Sequence, residues 1–242
     1  MSPQCLILAG GLGTRMGHLA GGLPKALIPV AGRPFADHQL SWLAGQGVGR
    51  VVYAVGNKAA MIRDFVGSGG RWGLEVAYAD EGAQPLGTGG AIRLAADKGL
   101  LDEGFLVLYG DSHLTVDVAA VWEASGAGAS ALMCVYKNDG RWEQSNAVFE
   151  NGLVTRFEKG RADAAETGMA YIDYGLSVLT KEVIEAHVPA AGAFDLAQVY
   201  GRLAEAGQLR GFEASERFHE IGSARGLRDL EAHLASGSEE EK

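Results

Sequence analysis

Short apolar runs alternate with stretches of helical spacing along the first half of the chain. Residues 4–9 (QCLILA) are a compact apolar run closed by glycine, which reads as a buried strand. Residues 34–47 place Phe35, Leu40 and Leu43 on one side of a helix that Gly45 and Gly47 end. VVYAV (51–55) reads as a strand, AAMIRDFV (59–66) as a helix and LEVAYA (74–79) as a third strand. GTGGAIRLAADKG (87–99) is a glycine turn running into a helix, and FLVLYGD (105–111) is an apolar strand ending in Gly-Asp. Strands and helices at this pitch predict βαβ units and a parallel sheet covered on both faces.

The second half is more mixed. ALMCVY (131–136) predicts a strand, and AVFENGLVTRFEKG (147–160) a hairpin turning at Asn151-Gly152. MAYIDYGLSVLT (169–180) is a strand, FDLAQVYGRLAEAG (194–207) a helix, LRGFEA (209–214) a short strand, and ARGLRDLEAHLAS (224–236) an amphipathic helix. No repeat or linker divides the chain. The expectation is one domain over 1–236, with a nucleotide-binding half to about residue 125 and a sugar-binding half beyond it. Residues 237–242 are expected to be a solvated, disordered acidic tail.

Composition narrows the function classes. The formal net charge of −9 argues against nucleic-acid binding, which needs clustered Lys and Arg. A small anionic substrate is still compatible, because backbone N–H groups or a metal bind phosphate inside an acidic protein. The 36 glycines predict many sharp connections and close backbone approaches. Cys5 and Cys134 lie in apolar runs and read as buried, reduced thiols. No apolar run reaches membrane-spanning length and no basic leader precedes one, so a cytoplasmic protein with no membrane partner is expected.

Five motifs carry the chemistry. Leu8-Ala9-Gly10-Gly11-Leu12-Gly13-Thr14-Arg15 follows the first strand, with glycine backbone suited to crowding a phosphate or base and an arginine fork for phosphate oxygens. It is not the dinucleotide fingerprint, which needs glycine where Met16 stands, nor a P-loop, which needs Gly-Lys-Ser/Thr. Pro24-Lys25 holds a point charge on a chain of little freedom. Gln84-Pro85-Leu86-Gly87-Thr88-Gly89-Gly90 opens a helix, where glycine allows flat contact with a base and Thr88 suits capping. Tyr109-Gly110-Asp111 sets a carboxylate at the carboxyl end of a strand, where open α/β sheets bind ligands and Mg²⁺ is met by one or two carboxylates. His219-Glu220-Ile221-Gly222 supplies a second carboxylate. His113, two residues after Asp111, reads as a site-lining or structural histidine ahead of a catalytic one.

Together, in this order, these motifs resemble the sugar-1-phosphate nucleotidylyltransferases. The resemblance runs from LAGGLGTR through PKALIPVAGRPF, PLGTGGAI and YGD to HEIGS. Length and the QPLGTGGAI and YGLSVLTKEV segments look closest to the short bacterial branch of heptose 1-phosphate guanylyltransferase and N-acetylmuramate 1-phosphate uridylyltransferase. The resemblance implies a three-layer α/β/α sandwich with a mixed, mostly parallel sheet of Rossmann-like type. It implies that Gly10, Gly11, Gly13, Thr14, Arg15 and Lys25, with Leu8 and Ala9, hold the triphosphate. It assigns the base to Glu81 or Gln84 with Gly87 and Thr88, because one extra residue precedes Pro85. It gives Mg²⁺ to Asp111 and Glu220, where the family usually has Asp at the second position. Lys159 and Glu158 then meet the sugar phosphate, and Gly110, Asp173 and Gly175 the sugar.

The implied reaction joins a nucleoside triphosphate to a sugar 1-phosphate and releases pyrophosphate, with guanylyl or uridylyl transfer to a heptose or hexose 1-phosphate foremost. It needs no general base, since a sugar phosphate with a second pKa of about 6 is already ionised at neutral pH. Mg²⁺, Arg15, Lys25 and Lys159 offset the repulsion between the two anions and hold the attack in line. Three rivals share the fold: a glycosyltransferase, a nucleotide-sugar sensor without turnover, and a choline-phosphate cytidylyltransferase. A monomer or a homodimer is compatible with the sequence.

Overall fold

The computed structural model describes residues 2–11, 21–161, 163–164 and 166–237. Nine strands form one continuous sheet: β1 (Gln4–Leu8), β2 (Arg50–Val55), β3 (Glu75–Asp80), β4 (Gly104–Tyr109), β5 (Leu132–Lys137), β6 (Ala147–Glu150), β7 (Leu153–Phe157), β8 (Tyr171–Thr180) and β9 (Arg210–Ala214). Their order is β3-β2-β1-β4-β8-β5-β9-β7-β6. The four strands β3, β2, β1 and β4 are mutually parallel. β8 enters antiparallel between β4 and β5, and β9 then runs parallel to β5. This is the mixed, mostly parallel α/β arrangement that the motifs imply.

Burial explains why the parallel strands are legible. Leu6 and Ile7 are both fully buried but belong to different apolar clusters, one on each face of the sheet. A strand covered on both faces must be apolar at every position, not at every second one. Helices α1 (Phe35–Gly45), α2 (Ala59–Val66), α3 (Gly87–Asp97), α4 (Val118–Ala124), α5 (Lys181–His187) and α6 (Leu196–Glu205) supply the cover, and α7 (Ala224–Gly237) packs on a third cluster with Ile28, Val30 and Phe35. The β6–β7 hairpin turns at Asn151 and Gly152, whose φ values of 51° and 79° suit the primed turn expected of Asn-Gly.

Two short helices went unpredicted. Asp117 caps α4 by accepting from Ala119 and Ala120 N–H, and Thr180 caps α5 by accepting from Val183 N–H. Each helix has 7 residues, too few for helical periodicity to emerge. A ribbon pairing Ser112–His113 with His219–Glu220 was also unpredicted, and it joins two motifs more than 100 residues apart.

The glycines that open α3 also make contacts within the protein. Gly89 and Gly90 N–H donate to the Phe194 carbonyl, and Phe194 N–H donates to Leu86 C=O. Thr88 does not cap its own helix. Its hydroxyl donates to Asp195 and accepts from Leu196 N–H, at the start of α6. The close approach is between two protein segments. Gly87→Ala therefore meets two obstacles: a φ of +71° and a methyl 2.6 Å from the Phe194 oxygen. The conformational part alone costs about 1–2 kcal/mol, so urea unfolding should show at least that loss, and unchanged stability would contradict this packing.

Candidate active site

A cleft of about 260 Å³ opens where β1, β3 and β4 end. Leu8, Ala9, Gly10 and Gly11 form one wall, Glu81, Pro85, Gly87, Thr88 and Ala91 the other, and Lys25, Ala26, Tyr109, Gly110 and Asp111 close its end. Ten of these residues are among those the sequence motifs nominated. Gly13, Thr14 and Arg15 lie outside the described residues.

Asp111 is placed by a continuation of the sheet. β1 and β4 pair in parallel with Leu8 opposite Tyr109, and Gly110 N–H donates to Leu8 C=O at 3.0 Å. A Cβ at Gly110 would lie 2.4 Å from that oxygen, so the turn demands glycine. Lys25 opens a single 3₁₀ turn, Lys25–Leu27, after Pro24, with Ala26 buried beneath it. Its ammonium donates to Asp111 Oδ2 at 2.7 Å. Glu220 arrives through the short ribbon, opposite Ser112, and Ile221 N–H donates to Asp111 C=O at 3.0 Å.

These three groups share one point. A Cβ built on Gly222 would lie 3.8 Å from Glu220 Oε2, 3.9 Å from Asp111 Oδ2 and 4.0 Å from Lys25 Nζ. Burial pushes the Glu220 carboxyl up to about 7, the nearby Asp111 and Glu143 charges add to the rise, and Lys25 opposes it. Among the described residues no group of three or more His, Cys, Asp or Glu could enclose a metal. Two hard carboxylates gathered around one point, Asp111 in the cleft lining and Glu220 beside it, would fit a cation such as Mg²⁺, which completes its shell with phosphate and water oxygens.

A second cluster adjoins the first. Tyr109 O–H donates to Asp173 Oδ2 at 2.7 Å, and Lys159 Nζ donates to the same hydroxyl at 3.2 Å. Lys159 also lies 3.7 Å from Asp173 Oδ2. Burial holds the Tyr109 hydroxyl protonated far above its ordinary range. Asn146 ties the base of this cluster, its Oδ1 accepting from Asp173 N–H at 2.9 Å while its C=O accepts from Glu158 N–H.

Three nominated residues stand elsewhere. The Glu158 side chain is exposed and taken by Arg156 and Arg161, at 2.9 and 2.8 Å, and does not join Lys159. Gly175 is buried behind the Asp111 turn, where a Cβ would lie 2.8 Å from Ser112 Oγ, so its lack of a side chain serves packing. Its N–H donates to Asp173 Oδ1. Gln84 is exposed and outside the cleft wall, whereas Glu81 lines it, with Oε2 accepting from Leu86 N–H at 2.8 Å. Burial raises the Glu81 carboxyl above its ordinary value. Its Oε1 fills the space that side chains at Gly10 or Gly56 would need.

His113 packs edge-on against His233, which stacks on His219. Burial and these neighbours hold His113 down at about 4, a neutral structural ring. Tyr109 and Gln39 are the contributors that motif reading missed. Tyr109 stands immediately before the Gly-Asp it supports. Gln39 is the polar member of an otherwise apolar helix face, with Phe35, Ala36, Leu40 and Leu43.

Parallel strand ends that gather glycine backbone, an ion-paired lysine and two carboxylates define a nucleotide-handling α/β enzyme. The chain belongs to the MobA-like NTP transferase family, whose domain matches residues 5–174. It is 34% identical over 160 residues to D-glycero-alpha-D-manno-heptose 1-phosphate guanylyltransferase of Aneurinibacillus thermoaerophilus, covering 65% of this chain and 68% of that one. The Campylobacter jejuni protein of the same name is 31% identical over 74% of this chain and 77% of its own. The structure of HddC from Yersinia pseudotuberculosis complexed with GMP-PN superposes with a TM-score of 0.79 at 27% identity, over 96% of this chain and 99% of that one. These matches bear out the resemblance read from the motifs, and the chain is a nucleotidyltransferase.

The Glu220 environment has a measurable consequence. Its folded carboxyl holds a proton up to about pH 7 against an ordinary value of 4.5. A raised carboxyl contributes stability that is complete below the unfolded value and lost as pH rises through the folded one. In metal-free buffer at pH 8, Glu220→Gln should melt above the parent, and the gap should close toward pH 5. Equal melting at both pH values would contradict the buried placement.

Proposed function

We propose that the chain transfers a nucleoside monophosphate, guanylyl first, from its triphosphate to a sugar 1-phosphate, releasing pyrophosphate. The observation that carries this is the meeting of Lys25, Asp111 and Glu220 around one point, with Lys25 and Asp111 in the cleft lining and Glu220 beside them. The Gly10–Gly11 backbone and Lys25 bind the triphosphate, and Lys25 carries positive charge to its oxygens. Lys159, braced by Tyr109 and Asp173, meets the incoming sugar phosphate. Asp111 and Glu220 would hold Mg²⁺, which supplies charge neutralisation at the α-phosphate when bound. The sugar phosphate oxygen forms a bond to the α-phosphorus as the bond to the β-phosphate oxygen breaks, and pyrophosphate takes the electron pair. Lys25 and Lys159 bring the two anions together and hold the attacking oxygen in line.

Glu81 favours guanine. An ionised carboxylate only accepts hydrogen bonds. The Watson–Crick edge of guanine offers two adjacent donors, N1–H and the N2 amino group, whereas uracil offers one there. Each Glu81 oxygen has lone-pair capacity beyond the Leu86 contact. Gln84 would serve at most the rim.

A pyrophosphate-release screen of four triphosphates against a panel of sugar 1-phosphates checks this reading. GTP should be preferred, and Glu81→Gln should reduce the GTP over UTP preference by about tenfold or more, the equivalent of one hydrogen bond to a charged group. No pyrophosphate from any pairing would overturn the reaction. An unchanged base preference in Glu81→Gln would overturn the role of Glu81.

A further inference from the structure

The turn that carries Asp111 is held by three partners, and one hold comes from a side chain remote in sequence. Gly110 N–H is taken by Leu8 C=O, and Asp111 C=O by Ile221 N–H. Two of the three remaining carbonyls of the Tyr109–Ser112 segment, those of Tyr109 and Ser112, are both served by Gln39. Its Nε2 donates to Tyr109 C=O at 3.0 Å and to Ser112 C=O at 2.9 Å. Gln39 is only 1% exposed, in the middle of α1, on the face that otherwise packs Leu40 and Leu43 into the core.

That position comes at a cost. Gln39 Oε1 is buried with no hydrogen-bond partner among the described residues. An unsatisfied buried amide oxygen is destabilising, and an apolar side chain of the same length would avoid it. The gain lies in the two carbonyls. They flank Gly110 and Asp111. The amide thus spans the turn like a staple and fixes the backbone from which the Asp111 carboxylate is aimed.

We infer that Gln39 is a positioning residue for the metal-binding carboxylate: its amide fixes the Asp111 turn so that Asp111 and Glu220 face one point. This rests on the reading of Asp111 and Glu220 as the Mg²⁺ ligands. Two carboxylates that serve one small cation need tight placement, because Mg²⁺ tolerates little departure from octahedral geometry. Freed from Gln39, the turn keeps its other two anchors and the fold, but the carboxylate gains freedom that binding must remove.

The test uses the full-length protein, stripped of metal and titrated with Mn²⁺ alone, with no nucleotide present, followed by electron paramagnetic resonance. Gln39→Met keeps the length and removes both donors. Its Mn²⁺ dissociation constant should rise about tenfold, corresponding to the loss of roughly 1.4 kcal/mol, while its melting temperature stays within a few degrees of the parent. Leu43→Ala, a core truncation on the same helix, should lower the melting temperature and leave Mn²⁺ affinity unchanged. Gln39→His, which retains a ring N–H donor, should recover part of the affinity, and it also serves if Gln39→Met does not fold. Unchanged Mn²⁺ affinity in a folded Gln39 variant would overturn the inference. An equal loss of affinity in Leu43→Ala would overturn it too, since general loosening would then suffice. Asp111→Asn separates the two readings: if it binds Mn²⁺ as the parent does, the metal assignment itself fails.

Discussion

Two carboxylates and a lysine are forced to one point by backbone geometry, and the site follows from that constraint. Asp111 and Glu220 repel each other, and burial raises the cost of ionising Glu220, whose carboxyl is pushed up to about 7. Nothing in their side chains favours the meeting. What secures it is backbone: the parallel pairing of β1 and β4, the Gly110 bond to Leu8, and the two-residue ribbon that carries Glu220 beside Ser112. Lys25 offsets part of the repulsion by its ion pair with Asp111. A divalent cation held by Asp111 and Glu220, as the proposed function has it, would neutralise such an acidic pair.

The same economy governs the glycines. Gly110, Gly87 and Gly175 each stand where a methyl would strike another part of the protein, at 2.4, 2.6 and 2.8 Å. Their small size lets chain segments close on each other around the cleft. Ligand contact is then made by backbone already locked in place, which lowers the entropy lost on binding. Tyr109 has a comparable double role. It lines the cleft, while its hydroxyl joins Lys159 to Asp173. It therefore connects the cleft to the neighbouring Lys159–Asp173 cluster through a single side chain.

Much of this was legible in the sequence, and the limits have physical causes. Strands such as 4–8 and 104–109 are buried on both faces, so their apolar runs are unbroken and stand out. Asn151-Gly152 declares its turn because both residues must take positive φ. The cleft residues beside β1, β3 and β4 were found because short motifs at strand ends have little freedom in where they sit. The ribbon of Ser112–His113 with His219–Glu220 has no periodic signature at two residues per strand, and only the folded chain shows that it delivers Glu220 to Asp111. Glu158 was misplaced because adjacent charges, Arg156 and Arg161, capture it locally. Gln39 carried a signal that went unread: a polar residue on an apolar helical stripe has a buried partner to serve.

The fate of a labelled oxygen tests the central claim most directly. Sugar 1-phosphate bearing ¹⁸O in its non-bridging positions, incubated with GTP, Mg²⁺ and the protein, is followed by ³¹P nuclear magnetic resonance. Attack at the α-phosphorus places ¹⁸O in the bridge of a new diphosphate and leaves the released pyrophosphate unlabelled. Label appearing in free orthophosphate, or GTP turnover that leaves the sugar phosphate untouched, would contradict the account.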